Sequence, residues 1–84
     1  MKIFKVTIYL KNEDSPEVGW LVGKTAVEVA NRIQQPTVIL ASSCIQLEEA
    51  GYNMSEVQEI DGYNSSEIVT YHVKEYGVIP CNIK

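Results

Sequence analysis

Eighty-four residues, 45% of them hydrophobic and 21% charged, with a net charge of −4, describe one small acidic globular domain with no room for a second core. A chain of this size buries roughly 60–65% of the surface its unfolded form exposes, so its core is modest. That composition excludes a disordered chain, and no apolar run approaches the ~18 residues of a membrane-spanning helix.

The opening stretch MKIFKVTIYL alternates. Phe4, Val6, Ile8 and Leu10 share one face, and Ile3, Lys5, Thr7 and Tyr9 the other, which is the period of a half-buried strand. Lys5 and Thr7 interrupt the apolar run that an export signal needs, so a cytoplasmic location is expected. The glycosylation-type triplets at Asn53 and Asn64 carry no weight in that setting. The polar turn Asn12–Pro16 leads into Glu17–Val22, a second strand expected to hairpin onto the first.

The best-specified element is the helix expected over about 26–35. Thr25 and Glu28 have capping-box spacing, and Ala26, Val29, Ala30 and Ile33 form one apolar stripe. Glu28 and Arg32 are spaced for a surface pair worth about 0.2–0.5 kcal/mol. Pro36 disfavours helical geometry at Gln35 and ends the helix. Thr37–Ala41 is a continuous aliphatic and β-branched run, which predicts an interior strand.

Beyond Ala41 two readings are open. Ile39, Ala41, Ser43, Ile45 and Leu47 continue one long strand to Glu48, which is the expected form. In the alternative, Ser43 caps a short helix over Cys44–Ala50, closed by Gly51. Asp61-Gly62 is a turn signal. Ile68–Val73 has high strand propensity. Even so, Asn64 and Glu67 as a cap, Ile68, Val69, Val73 and Tyr76 near helical spacing, and Gly77 at the end predict a helix over about 65–76. A short strand Val78–Ile83 is expected to follow. The fold class is therefore α+β: a small antiparallel-rich sheet with one well-defined helix on one face and a second helix, in the order β-β-α-β-(β)-α-β. A split βαβ arrangement of ferredoxin type is compatible with that order.

Gly23-Lys24-Thr25 at the start of a helix invites a phosphate-loop reading. That motif requires a glycine at position 18, where Val18 stands, and its spacers here are strand-like, so a turn glycine and a helix cap are the better reading. Cys44 and Cys81 fit no metal or redox spacing and are expected as free thiols. His72 is the single histidine and shows no local signature of a catalytic partner. A zinc site from Cys44, His72, Cys81 and a carboxylate lacks the usual close ligand pairs. No metal or cofactor is expected, and an enzyme using His72 and Cys44 is the least supported alternative.

Charge is segregated along the chain. Lys and Arg stand at 2, 5, 11, 24 and 32 and then at 74 and 84, so 33–73 holds no basic residue. That stretch carries Glu48, Glu49, Glu56, Glu59, Asp61 and Glu67. If they share a face, they create a sustained negative potential. A solvated acidic rim that keeps the protein soluble is the plain explanation. The functional expectation is a non-enzymatic protein-interaction module. In it, Glu48, Glu49, Tyr52, Glu56, Glu59, Asp61, Tyr63 and Glu67 dock on a basic protein surface, with the two tyrosines as anchors. A nucleic-acid-binding protein is the natural basic partner, and one version is an inhibitor of such a protein, by analogy of size and charge with small acidic phage and mobile-element proteins. No direct nucleic-acid contact is expected, since phosphates need Lys and Arg and the acidic stretch has none, and no membrane contact is expected either. A homodimer and a small dimeric ligand-sensing domain are compatible alternatives.

Overall fold

Alternation at the N-terminus becomes β1 (Lys2–Leu10), which pairs antiparallel with β2 (Glu17–Gly23), Phe4 opposite Leu21 and Ile8 opposite Glu17. The computed structural model describes residues 1–79. The helix α1 (Ala26–Ile33) starts as its cap predicts: Glu28 N–H donates to Thr25 Oγ1 at 3.1 Å, and Lys24 N–H donates to Glu28 Oε2 at 3.2 Å. Arg32 pairs with Glu28 at 2.9 Å and also donates through Nη1 to the Val22 carbonyl, tying α1 to the end of β2. Then come β3 (Thr37–Ala41), α2 (Cys44–Glu49), a 3₁₀ turn at Met54–Glu56, β4 (Ile60–Asn64), a second 3₁₀ turn at Ser65–Glu67, and β5 (Ile68–Val78).

The domain is α+β, a five-stranded antiparallel sheet in the order β4-β3-β2-β1-β5. Because β2 and β3 are neighbours, α1 does not cross an intervening strand as the helix of a split βαβ unit does. The sheet also curls. Four inter-strand gaps of about 4.8 Å separate β4 from β5 in a flat sheet, about 19 Å in all. Asn64 and Ile68 are joined by four residue steps, which reach at most about 14 Å fully extended and less through a 3₁₀ turn. The edges therefore bend toward each other, and the single bridge Trp20–Ala41 between β2 and β3 marks the place where the ladder gives way.

Inside the curl lies the main core, Phe4, Val6, Ile8, Leu21, Val38 and Leu40 against Val29 and Ile33 of α1, with Tyr63, Ile68, Tyr71 and Val73 leaning on it. A second cluster, Ile3, Val22, Ala41, Leu47 and Val57, sits under α2 on the other face. Gly19 is required where β2 meets β3, because a Cβ there would collide with the Leu40 side chain.

Two expected elements are corrected. The stretch 43–50 is a helix, not the continuation of a strand. Ser43 caps it by accepting from Ile45 N–H at 3.2 Å, Gly51 (φ +66°) turns the chain out, and Leu47 is fully buried while Ile45 is 67% exposed. The stretch 65–76 is not a helix. Asn64 caps only the turn Ser65–Glu67, accepting from Ser66 N–H at 3.1 Å, and the chain then runs as β5 along nearly the whole of β1. Tertiary pairing outweighs the helix signal: Tyr71 and Val73 meet the core with period two and Ile68 joins them across a register shift, while Val69 and Tyr76, counted toward a helical stripe, are 65% and 59% exposed. Asp61-Gly62 lies within β4 rather than in a turn. Of the expected strand Val78–Ile83, Val78 ends β5 and Ile79 follows it outside any strand, while 80–83, with Cys81, lie outside the described residues.

Candidate functional site: an acidic cleft beside α2

The chain leaving α2 is turned back sharply. Gly51 and Tyr52 both have left-handed backbones, and Tyr52 N–H donates to the Leu47 carbonyl at 2.8 Å. A tyrosine at φ +61° is an uncommon conformation, stabilised here because its ring packs against the second core cluster. The reversal brings the segment after the Met54–Glu56 turn alongside α2. Between them opens a cleft of about 300 Å³ lined by Gln46, Glu49, Ala50, Glu56, Gln58 and Glu59.

Three of the six expected carboxylates, Glu49, Glu56 and Glu59, thus converge on one concavity. Glu48 is beside them on α2, near enough to Cys44 that its charge acts on the thiol. Burial, and then that charge, raise the Cys44 thiol above its ordinary value. Asp61 stands apart on β4, where its Oδ2 accepts from Ser42 Oγ at 2.8 Å. Glu67 is separated from Glu59 by the length of β4 and belongs to the turn whose carbonyl accepts from Lys11 N–H. The ion pairs among the described residues are Lys2–Glu75 and Glu28–Arg32, and neither involves the acidic stretch.

Neither expected tyrosine anchor stands free. Tyr52 leans on the cluster under α2, and Tyr63 on the main core, with its phenol pushed up by burial and then by the charges of Asp61 and Glu17. Gln46 is not legible in the sequence as a site residue, since an amide carries no charge signal. It lines the cleft with its Oε1 buried and without a hydrogen-bond partner among the described residues. The cleft therefore offers three carboxylates, and suits a ligand rich in N–H donors.

His72 and Cys44 lie on different elements, β5 and α2. Among the described residues no hydrogen bond joins His72 to Cys44 or to a carboxylate, and no group of three or more His, Cys, Asp or Glu side chains is placed to hold a metal ion. The ring partner of His72 is Tyr9, edge-on with centroids 5.7 Å apart. No helix among the described residues is long and apolar enough to cross a membrane. No protein-family model, curated protein or solved structure matches the chain.

Proposed function

We propose that the protein is an interaction module whose acidic cleft docks on a Lys- or Arg-bearing surface of a protein partner. The observation that carries this reading is the convergence of Glu49, Glu56 and Glu59 on one cleft. Carboxylates without a basic neighbour leave a field that steers a cationic partner and is screened beyond about 10 Å at 0.1 M salt. A guanidinium entering the cleft can form charge-assisted, bidentate bonds to a carboxylate. A nucleic-acid-binding protein is the natural class of partner, because such proteins carry the required basic surface, and covering that surface would inhibit it. Glu48 extends the negative rim along α2, while Asp61, bonded to Ser42, and Tyr52, Tyr63 and Glu67 do not line the cleft.

The test is affinity capture with mass spectrometry at low and high salt, comparing wild type with Glu49→Lys/Glu56→Lys/Glu59→Lys. A basic partner held by wild type at low salt, released at high salt and absent with the triple variant is the expected outcome. A partner retained equally at both salt concentrations, or equally by the charge-reversed chain, would remove the cleft from consideration.

A further inference from the structure

We infer that the outer face of the β2-β1-β5 ladder is a binding platform for single-stranded nucleic acid, independent of the acidic cleft. Outward positions follow from register and burial: Val18 and Trp20 on β2, Lys5, Thr7 and Tyr9 on β1, and Thr70, His72, Lys74 and Tyr76 on β5. In a chain of net charge −4, those nine positions hold two lysines, a histidine, three other aromatic rings and no carboxylate.

The lysines are the first sign of an anionic ligand. Lys5 and Lys74 are direct cross-strand partners, both exposed, and Trp20 completes their row on the other side of β1. Like charges placed opposite each other destabilise a sheet, and neither lysine is in an ion pair with a carboxylate of the described residues. The one carboxylate neighbouring them in sequence on β5, Glu75, pairs instead with Lys2 at 3.5 Å. A phosphate bridging the two ammonium groups would turn that repulsion into attraction.

The aromatic side chains say what the phosphate is attached to. Trp20 and Tyr76 meet edge-to-face with centroids 4.7 Å apart, and Tyr9 meets His72 in the same manner at 5.7 Å. One pair starts from the lysine row itself, through Trp20, and the other stands about four residues further along β1, about 13 Å at the rise of a strand. Rings held by neighbours rather than by deep burial present π-faces at little cost in side-chain entropy, and bases stack on such faces without regard to sequence. A basic row beside aromatic rings on a curled antiparallel sheet fits a short single strand. A duplex, whose bases are hidden, cannot use the rings. The expectation of no direct nucleic-acid contact rests on the acidic stretch, and this face carries none of its carboxylates.

The experiment is a titration of the full chain with a fluorescein-labelled ten-nucleotide oligo-dT, an oligo-rU of equal length and a duplex control, at about 50 mM salt. It is read by anisotropy and by quenching of Trp20, the single tryptophan. Binding of a single strand in preference to the duplex is expected, with a slope of log K against log salt near −1.4, from two phosphate contacts at about −0.7 each. The dT and rU arms distinguish DNA from RNA. Lys5→Glu/Lys74→Glu should abolish binding, and Tyr76→Ala should weaken it about 5- to 150-fold, both with an unchanged far-ultraviolet circular dichroism spectrum. Absence of binding at 100-micromolar-order protein, or binding that survives Lys5→Glu/Lys74→Glu, overturns the proposal. So does self-association by sedimentation equilibrium that the same double variant abolishes, which would assign the face to a second copy. The cleft variant Glu49→Lys/Glu56→Lys/Glu59→Lys leaves these residues untouched, so failure here does not bear on the docking of a basic protein.

Discussion

Leu40 and Ile39 are neighbours on β3, yet Leu40 is fully buried and Ile39 is 45% exposed. The same contrast runs through the whole sheet. Its inner face closes on α1 and holds the largest fully buried side chains, Phe4, Ile8 and Ile33 among them. Its outer face is sealed only where α2 lays Leu47 on Ile3, Val22 and Ala41, and elsewhere shows Val18, Tyr9 and Tyr76 to solvent. The inner face is organised by burial alone. The outer face keeps apolar and aromatic residues where burial does not require them, together with an unfavourable lysine pair, and that combination is what singles it out for binding.

The comparison is most exposed to a paired substitution on β3. Leu40→Ala should lower unfolding free energy by about 2–5 kcal/mol, because it empties the closed side of the sheet. Ile39→Thr, one residue away, should stay within about 0.5 kcal/mol. Urea denaturation of the two variants at low protein concentration measures the difference. Comparable losses would mean that the outer face is as structurally committed as the inner one.

A smaller effect separates two glycines of the sheet. Gly19→Ala forces a methyl group into Leu40 and should cost about 1–3 kcal/mol. Gly62→Ala, on β4, meets open space and should stabilise by about 0.4–1 kcal/mol through the unfolded chain. Thermal melts of both variants check the sign as well as the size. A destabilised Gly62→Ala would show that the β4 edge is more tightly packed than its open surroundings imply.

The smallest expected effect lies in pH. Cys44, at the start of α2 on the outer side, and Tyr63, against the inner core, both have their titration raised in the folded state, first by burial. The folded protein holds these protons more tightly than the unfolded chain, so their contribution is flat at low pH. Stability then falls as pH climbs past the ordinary thiol value and, further on, past the ordinary phenol value. Melting curves across about pH 7–11 should show that decline, with Cys44→Ser removing its earlier part and Tyr63→Phe its later part. A decline unchanged in both variants would sink the assignment.

Much of the inner face is legible in the sequence alone. The alternation of Phe4, Val6, Ile8 and Leu10, and the Thr25–Glu28 cap, are local signals with one physical interpretation each, and both form accordingly. Other signals are legible but ambiguous. Asn64 is a cap, but of a single 3₁₀ turn, and nothing local to Ile68–Val78 announces that β1 has a free edge waiting for it. In the candidate site, the charge run includes Glu49, Glu56 and Glu59, which the structure places around one cleft. It does not separate them from Glu67, because linear density of charge carries no direction, and it does not register Gln46 at all.

What the sequence determined by itself about this protein is what lies within a few residues of its cause. That includes the hairpin, the capped helix over Ala26–Ile33 and its end before Pro36, the acidity of the stretch from 48 to 67, and the role of Thr25 as the helix cap after Gly23. Tertiary structure alone decided the partner of β5, the curling of the sheet around α1, the folding back of the Met54–Glu59 segment onto α2, and the meeting of Lys5 with Lys74 across 69 positions of chain. The reason is physical. Caps, turns and alternation are stabilised by contacts the chain makes with itself nearby, whereas strand pairing and concave sites arise from the choice among distant surfaces that buries the most apolar area.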